Sequence, residues 1–183
     1  METPDHASRL ETLTVGDIMI PIADYPKVPP EATLREAMLV MEAAQIVVAG
    51  RSSLPRVLLV MKDHAQLLGH IRRRDVMRGL EPKFLLTKPL EYRKKWFDVG
   101  IDPLLSELSA ERLVKEIRER AERPVTDILL PMKGSILTSD PIMTAYYEMQ
   151  GLGVPLVPVM TGDRVLGVVR TVEIFRELAR LVM

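Results

Sequence analysis

The chain has 183 residues, with 25 basic and 25 acidic side chains and a formal net charge of zero. It holds no cysteine, which excludes disulfide scaffolds, thiol catalysis and thiolate metal sites. Neutrality removes any long-range pull toward nucleic acid or anionic lipid, and no apolar run approaches the ~20 residues of a membrane helix, so the expectation is a cytoplasmic protein.

Residues 1–13 read as a tail, with neither the basic start nor the apolar run of a signal peptide. A first unit, 14–80, opens on Val15-Gly16-Asp17-Ile18-Met19-Ile20-Pro21, a short helical start that proline ends. Thr33-Leu34-Arg35-Glu36 is a capping box, and Leu34, Ala37, Met38 and Met41 then trace a helical stripe. Two strands follow, 57–61 and 66–71, about a turn at 62–65, and a second helix begins near Arg74. Residues 81–124 form a helical insertion or linker. Asp102-Pro103 marks one helix start there, and Tyr92-Arg93-Lys94-Lys95-Trp96-Phe97 carries the only Trp. Nine of the fourteen residues 110–123 are charged, predicting a helix with Glu111–Lys115 and Glu119–Arg123 pairs and a docked stripe of Leu113, Val114 and Ile117. A second unit, 125–183, starts at Val125-Thr126-Asp127-Ile128-Leu129-Leu130-Pro131. Asp140-Pro141 is expected to supply an N-cap and first helical residue. Strands at 156–160 and 165–169 flank Thr161-Gly162-Asp163-Arg164, and a helix begins near Val172.

The two units are copies. The opening segments align at an offset of 110, residues 28–42 with 136–150 at 108, Leu54-Pro55 with Val154-Pro155 at 100, and 68–72 with 166–170 at 98. The offset drifts one way and only at loops, as two copies of one supersecondary unit require. Each copy reads strand, helix, strand, strand, helix, an α+β pattern. Aromatics are only 4%, so the cores must be filled by Val, Leu, Ile and the eleven Met.

The doubled unit resembles the cystathionine β-synthase (CBS) domain, and the tandem resembles a Bateman module. The matching residues are the "V-x-D-I-M-x-P" start, the helix with Ala37 and Met41, the hydrophobic-Pro lead into the hairpin, and the two glycine exits. Those exits are Gly69-His70-Ile71-Arg72-Arg73-Arg74-Asp75-Val76 and Gly167-Val168-Val169-Arg170-Thr171-Val172-Glu173-Ile174. The likeness covers about two thirds of the chain, leaving out the tail and the insertion. It implies two β-α-β-β-α CBS units packed about a pseudo-twofold axis, two clefts, and association of modules into homodimers. It also implies an adenosine-type ligand (AMP, ADP, ATP or S-adenosylmethionine) and a regulated partner protein, from which this chain would be a separate, stand-alone module.

Carried onto this sequence, the family's nucleotide exit places an acid at Asp75 and, lengthened, at Glu173. Such an acid accepts hydrogen bonds from the ribose hydroxyls. The family's Ser or Thr is replaced by Arg72 and Arg170. Each arginine has two readings. It is a bidentate phosphate donor, or a long side chain that fills the cleft and pairs with its own acid. The expected walls are Val28, Leu54 and Pro55 in one cleft and Ile136, Val154 and Pro155 in the other. Asp75 and Glu173 also suit the first turn of a helix without any ligand.

Enzyme motifs fail. Gly151-Leu152-Gly153 lacks a third glycine and precedes a strand, so it reads as a turn. His6, His64 and His70 have no metal-ligand spacing, and no nucleophile–base set is present. The sequence therefore points to a non-catalytic, metal-free regulatory pair, with a ligand-free dimerisation scaffold as the alternative. Arg72-Arg73-Arg74 is more readily a solvated edge than a nucleic-acid contact. Tyr92 to Phe97 suits an interface anchor.

Overall fold

The computed structural model describes residues 12–48, 50–62, 66–82 and 110–182. Residues 1–11 of the tail, the Tyr92 to Phe97 cluster, the Asp102-Pro103 helix start and His64 lie outside them. Among the described residues no helix is long and apolar enough to cross a membrane.

In the first unit, β2 (Lys27–Val28) runs parallel to β5 (Val57–Lys62), which pairs antiparallel with β6 (Gln66–Arg72). Helices α2 (Leu34–Ala43) and α3 (Arg73–Leu80) cover one face of this sheet. The second unit repeats the plan with α5 (Ile142–Leu152), β7 (Leu156–Thr161), β8 (Arg164–Arg170) and α6 (Thr171–Val182). An Ile136–Val159 bridge stands where the first unit has β2. Both hairpins shift register at the same place, between Val60 and Met61 and between Val159 and Met160. The result is an α+β fold of two units about a pseudo-twofold axis.

The apolar run of β5 is buried on both faces, and its alternation explains why. Leu58 and Val60 point to the helices of their own unit, whereas Leu59 and Met61 join Ile20, Tyr25, Ile46, Leu156 and Val168 in a core between the units. In the second unit Val157, Val159 and Val169 face the helices. Each fully buried aliphatic side chain is worth about 1.5–3 kcal/mol, so the inter-unit core is a cohesive joint.

The leading segments of the two repeats change places. The short helix α1 (Val15–Ile18) packs its Val15 and Ile18 into the core of the second unit. Next, β1 (Ile20–Pro21) adds to β8 as an antiparallel edge strand. In return Val125, from a 3-10 turn at Val125–Ile128, is buried in the core of the first unit, and Leu130 bridges to His70. The chain therefore crosses between units twice.

Local chemistry follows the sequence at α2, where Thr33 Oγ1 accepts the Glu36 N–H and Glu36 accepts the Thr33 N–H at 2.7 Å. It departs at α5. Pro141 is itself the N-cap, because Asp140 turns back to accept the Leu137 N–H at 2.8 Å. Gly153, at φ 63°, ends that helix as the expected turn. The first unit also has a hairpin without counterpart, β3 (Ile46–Val48) with β4 (Arg51–Ser53). It supplies the eight residues by which the repeat offset falls between α2 and the hairpin that follows.

Within the insertion, α4 (Ala110–Ala121) is the expected charged helix. Its docked stripe is Leu113, Ile117 and Ala121, four residues apart; Val114 is exposed. Lys115 pairs with Glu119, not Glu111. Arg123 lies beyond the helix end and pairs with Asp127 in place of Glu119. Arg120 donates to the Gly79 carbonyl at 2.9 Å, and Arg35 pairs with Glu122, tying α4 to the first unit.

Candidate functional site: a cleft between the two units

Each β6-type strand ends where a helix begins, and this places an arginine at the N-cap and an acid in the first turn. In the first unit Asp75 accepts the Arg72 backbone N–H at 3.3 Å, a favourable contact at the positive helix end. Arg72 also grips it with both arms of the guanidinium, Nε to Oδ2 at 2.5 Å and Nη2 to Oδ1 at 2.9 Å. Burial would raise the Asp75 carboxyl, but the hydrogen bonds and charge of Arg72 outweigh it and hold it below the ordinary carboxylate value.

The second unit repeats the clasp in a drier place. Arg170 Nε donates to Glu173 Oε2 at 2.8 Å and Nη2 to Oε1 at 2.5 Å. Arg176 approaches the same carboxylate at 3.5 Å, and Glu173 is only 2% exposed. Arg170 also donates to Ser53 Oγ at 3.3 Å, so β4 of the first unit holds an arginine of the second.

Between the units lies a cleft of about 450 Å³. Tyr25, Ser53, Leu54, Arg56 and Arg73 line it from the first unit, and Pro155, Leu156, Arg170, Thr171 and Val172 from the second. Arg56 and Arg73 are exposed, and Arg73 Nη2 donates to the Pro55 carbonyl at 2.8 Å. Tyr25 is buried beside them; burial pushes its phenol up, and its hydroxyl donates to the Val57 carbonyl at 3.0 Å. The wall thus carries three guanidinium groups and no carboxylate.

The expected site residues divide as follows. Leu54, Pro155 and Arg170 meet in the cleft, with Pro55 and Glu173 directly behind it through their bonds to Arg73 and Arg170. Arg72 and Asp75 are paired with each other and are not in the cleft wall. Val28 belongs to the core of the first unit and borders a different hollow with Lys27, Pro29 and Met61. Ile136 is buried in the second core and Val154 packs against it. Sequence reasoning did not single out Arg56, Arg73, Ser53 or Tyr25 as lining residues. The run Arg72-Arg73-Arg74 was the available signal for Arg73; Arg56 and Ser53 become neighbours of Arg170 only through the packing of the units. Among the described residues no three His, Asp or Glu side chains converge as a metal site.

The CBS domain family matches residues 15–82. No curated protein matches the sequence significantly. Solved structures similar in fold include the CBS domain of a CBS domain containing membrane protein from Sphaerobacter thermophilus. It has a TM-score of 0.63 at 18% identity, covering 97% of this chain and 93% of that one. CBSX2 in complex with AMP gives 0.59 at 17% identity, covering 93% and 98%. The CBS domain of a bacterial CNNM/CorC family Mg2+ transporter in complex with ATP gives 0.60 at 16% identity, covering 95% and 92%.

Proposed function

We propose that the chain, whose residues 15–82 match the CBS domain family and whose fold is that of solved CBS-domain structures, is a tandem CBS pair, a Bateman module, with a regulatory role. It takes a phosphate-bearing adenosine nucleotide in the cleft between its units and passes the state of that cleft to a partner protein. The observation that carries this reading is the cleft itself, walled from both units and lined by Arg56, Arg73 and Arg170. A ligand there touches both units at once, so its binding energy biases their relative tilt. Two solved structures of like fold carry AMP and ATP, which supports the ligand class. The cleft gathers three guanidinium groups and a tyrosine, a lining suited to holding an anionic ligand, which supports a regulatory role.

The module is a homodimer through its helical faces. Leu39 and Met77 on the first unit are 59% and 62% exposed, and their repeat equivalents Tyr147 and Phe175 are 68% and 70% exposed. Large apolar side chains at equivalent exposed positions form a surface with the symmetry a paired disc needs. Calorimetric titration with AMP, ADP, ATP and S-adenosylmethionine tests the ligand reading. Binding of a phosphate-bearing nucleotide, lost in Arg170→Ala, is the expected result; no heat from any of them at millimolar concentration removes it.

A further inference from the structure

We propose that the inter-unit cleft recognises its ligand through phosphate and not through ribose, an inference that rests on the nucleotide reading above. Gripping a ribose requires a carboxylate with lone pairs free and aimed at the ligand. Neither candidate acid meets that requirement. Both oxygens of Asp75 accept from Arg72 and both oxygens of Glu173 from Arg170, with Arg176 alongside, so each acid is charge-paired and turned toward its own arginine. Glu173 is buried behind Arg170, and Asp75 is outside the cleft wall.

What the wall offers is positive charge held in place. Arg170 is oriented by Glu173 on one side and Ser53 on the other. Arg73 spends one N–H on the Pro55 carbonyl and keeps the rest of its fork. Arg56 is exposed and has no ion-pair partner among the described residues. Arg56 and Arg73 face the cleft with no carboxylate in its lining to neutralise them, and a chain of phosphates supplies both the charge and the acceptors that their forks lack. The ligand chemistry is therefore an oligophosphate, carried by a nucleoside or free. A bare nucleoside lacks the groups this wall binds, and S-adenosylmethionine offers a single carboxylate beside a sulfonium and an ammonium that the guanidinium groups repel.

The test is calorimetry on the full chain with adenosine, AMP, ATP, GTP, inorganic tripolyphosphate and S-adenosylmethionine. ATP, GTP and tripolyphosphate are expected to bind, with dissociation constants within about tenfold of one another, and tripolyphosphate to compete with ATP. AMP is expected to be weaker, and adenosine and S-adenosylmethionine to give no heat. The double variant Arg56→Ala/Arg73→Ala, at two exposed positions, is expected to weaken ATP and tripolyphosphate about tenfold or more while circular dichroism stays unchanged. Adenosine or S-adenosylmethionine binding as tightly as ATP overturns the inference and leaves the nucleotide reading standing. Tripolyphosphate binding with no nucleotide binding does the reverse. Unchanged ATP affinity in the double variant also overturns the inference, and silence from all six ligands ends both.

Discussion

Gly69 and Gly167 hold the same place in the two repeats, and the same crowding acts on both. A Cβ on Gly69 would collide with the carbonyl oxygen of Leu130, and one on Gly167 with that of Ile20. Those carbonyls belong to the crossing segments, so each glycine is the slot through which one repeat's leading segment docks on the other. Replacement by alanine is expected to cost about 1–3 kcal/mol at either site, measured by urea denaturation. The glycines were visible in the sequence as a motif, but their reason was not, because the crowding atom comes from a segment many residues away. The next residue is His70, which the repeat matches to the buried Val168. Burial lowers the His70 pKa below its ordinary value, with the Arg72 charge adding to it, and Nδ1 is buried without a hydrogen-bond partner. A folded-state pKa below the unfolded one means stability is fully present above the unfolded value and is lost as pH falls through it. His70→Val is therefore expected to raise the melting temperature and to flatten its decline between about pH 7 and 5. A decline as steep as the wild type's would show that the lost stability comes from another group. The two arginine–acid clasps differ in burial and so in consequence. Glu173→Ala strands Arg170 and Arg176 in a dry site and is expected to cost about 3–5 kcal/mol. Asp75→Ala costs less, because the Arg72 side chain retains 27% exposure and can turn to water.

At the scale of elements, the local signals were dependable where the chain decides its own structure. Thr33 and Glu36 cap α2 as their spacing requires, and Thr33→Ala is expected to cost about 1 kcal/mol in the same denaturation experiment. The apolar run 57–61 marked a strand, and β5 is there, buried on both faces. Its two destinations, own helices and opposite unit, emerge only from the assembled sheets. The β3–β4 hairpin was legible only as a gap in the repeat. Its strands are three residues each and lack strong alternation, so the pattern is too short to register. Yet this hairpin delivers Ser53 to Arg170 and buries Ile46 in the inter-unit core. The ion pairs of α4 show the complementary failure. Spacing names several candidate partners for each charge, and the helix end decided among them when Arg123 passed to Asp127.

Across the whole molecule, the repeat made the architecture readable, since one unit seen twice is far more specific than either copy alone. The exchange of leading segments stayed hidden, because nothing local distinguishes a segment that packs on its own unit from one that packs on its twin. That exchange carries a thermodynamic consequence. Val15 and Ile18 complete one core and Val125 the other, so neither unit has an intact interior without the other's chain. Calorimetric unfolding is expected to show a single cooperative transition with equal van't Hoff and calorimetric enthalpies; two resolved transitions would deny the coupling. The candidate site is a product of the same scale. Arg56 and Arg73 come from one unit and Arg170 from the other, and only their junction makes a cleft. The most direct measurement of the central claim is hydrogen exchange followed by mass spectrometry with and without saturating ATP. The account predicts slowed exchange on both sides of the cleft together, at residues 53–57 and 170–173. Protection confined to one unit, or none in either, would contradict it.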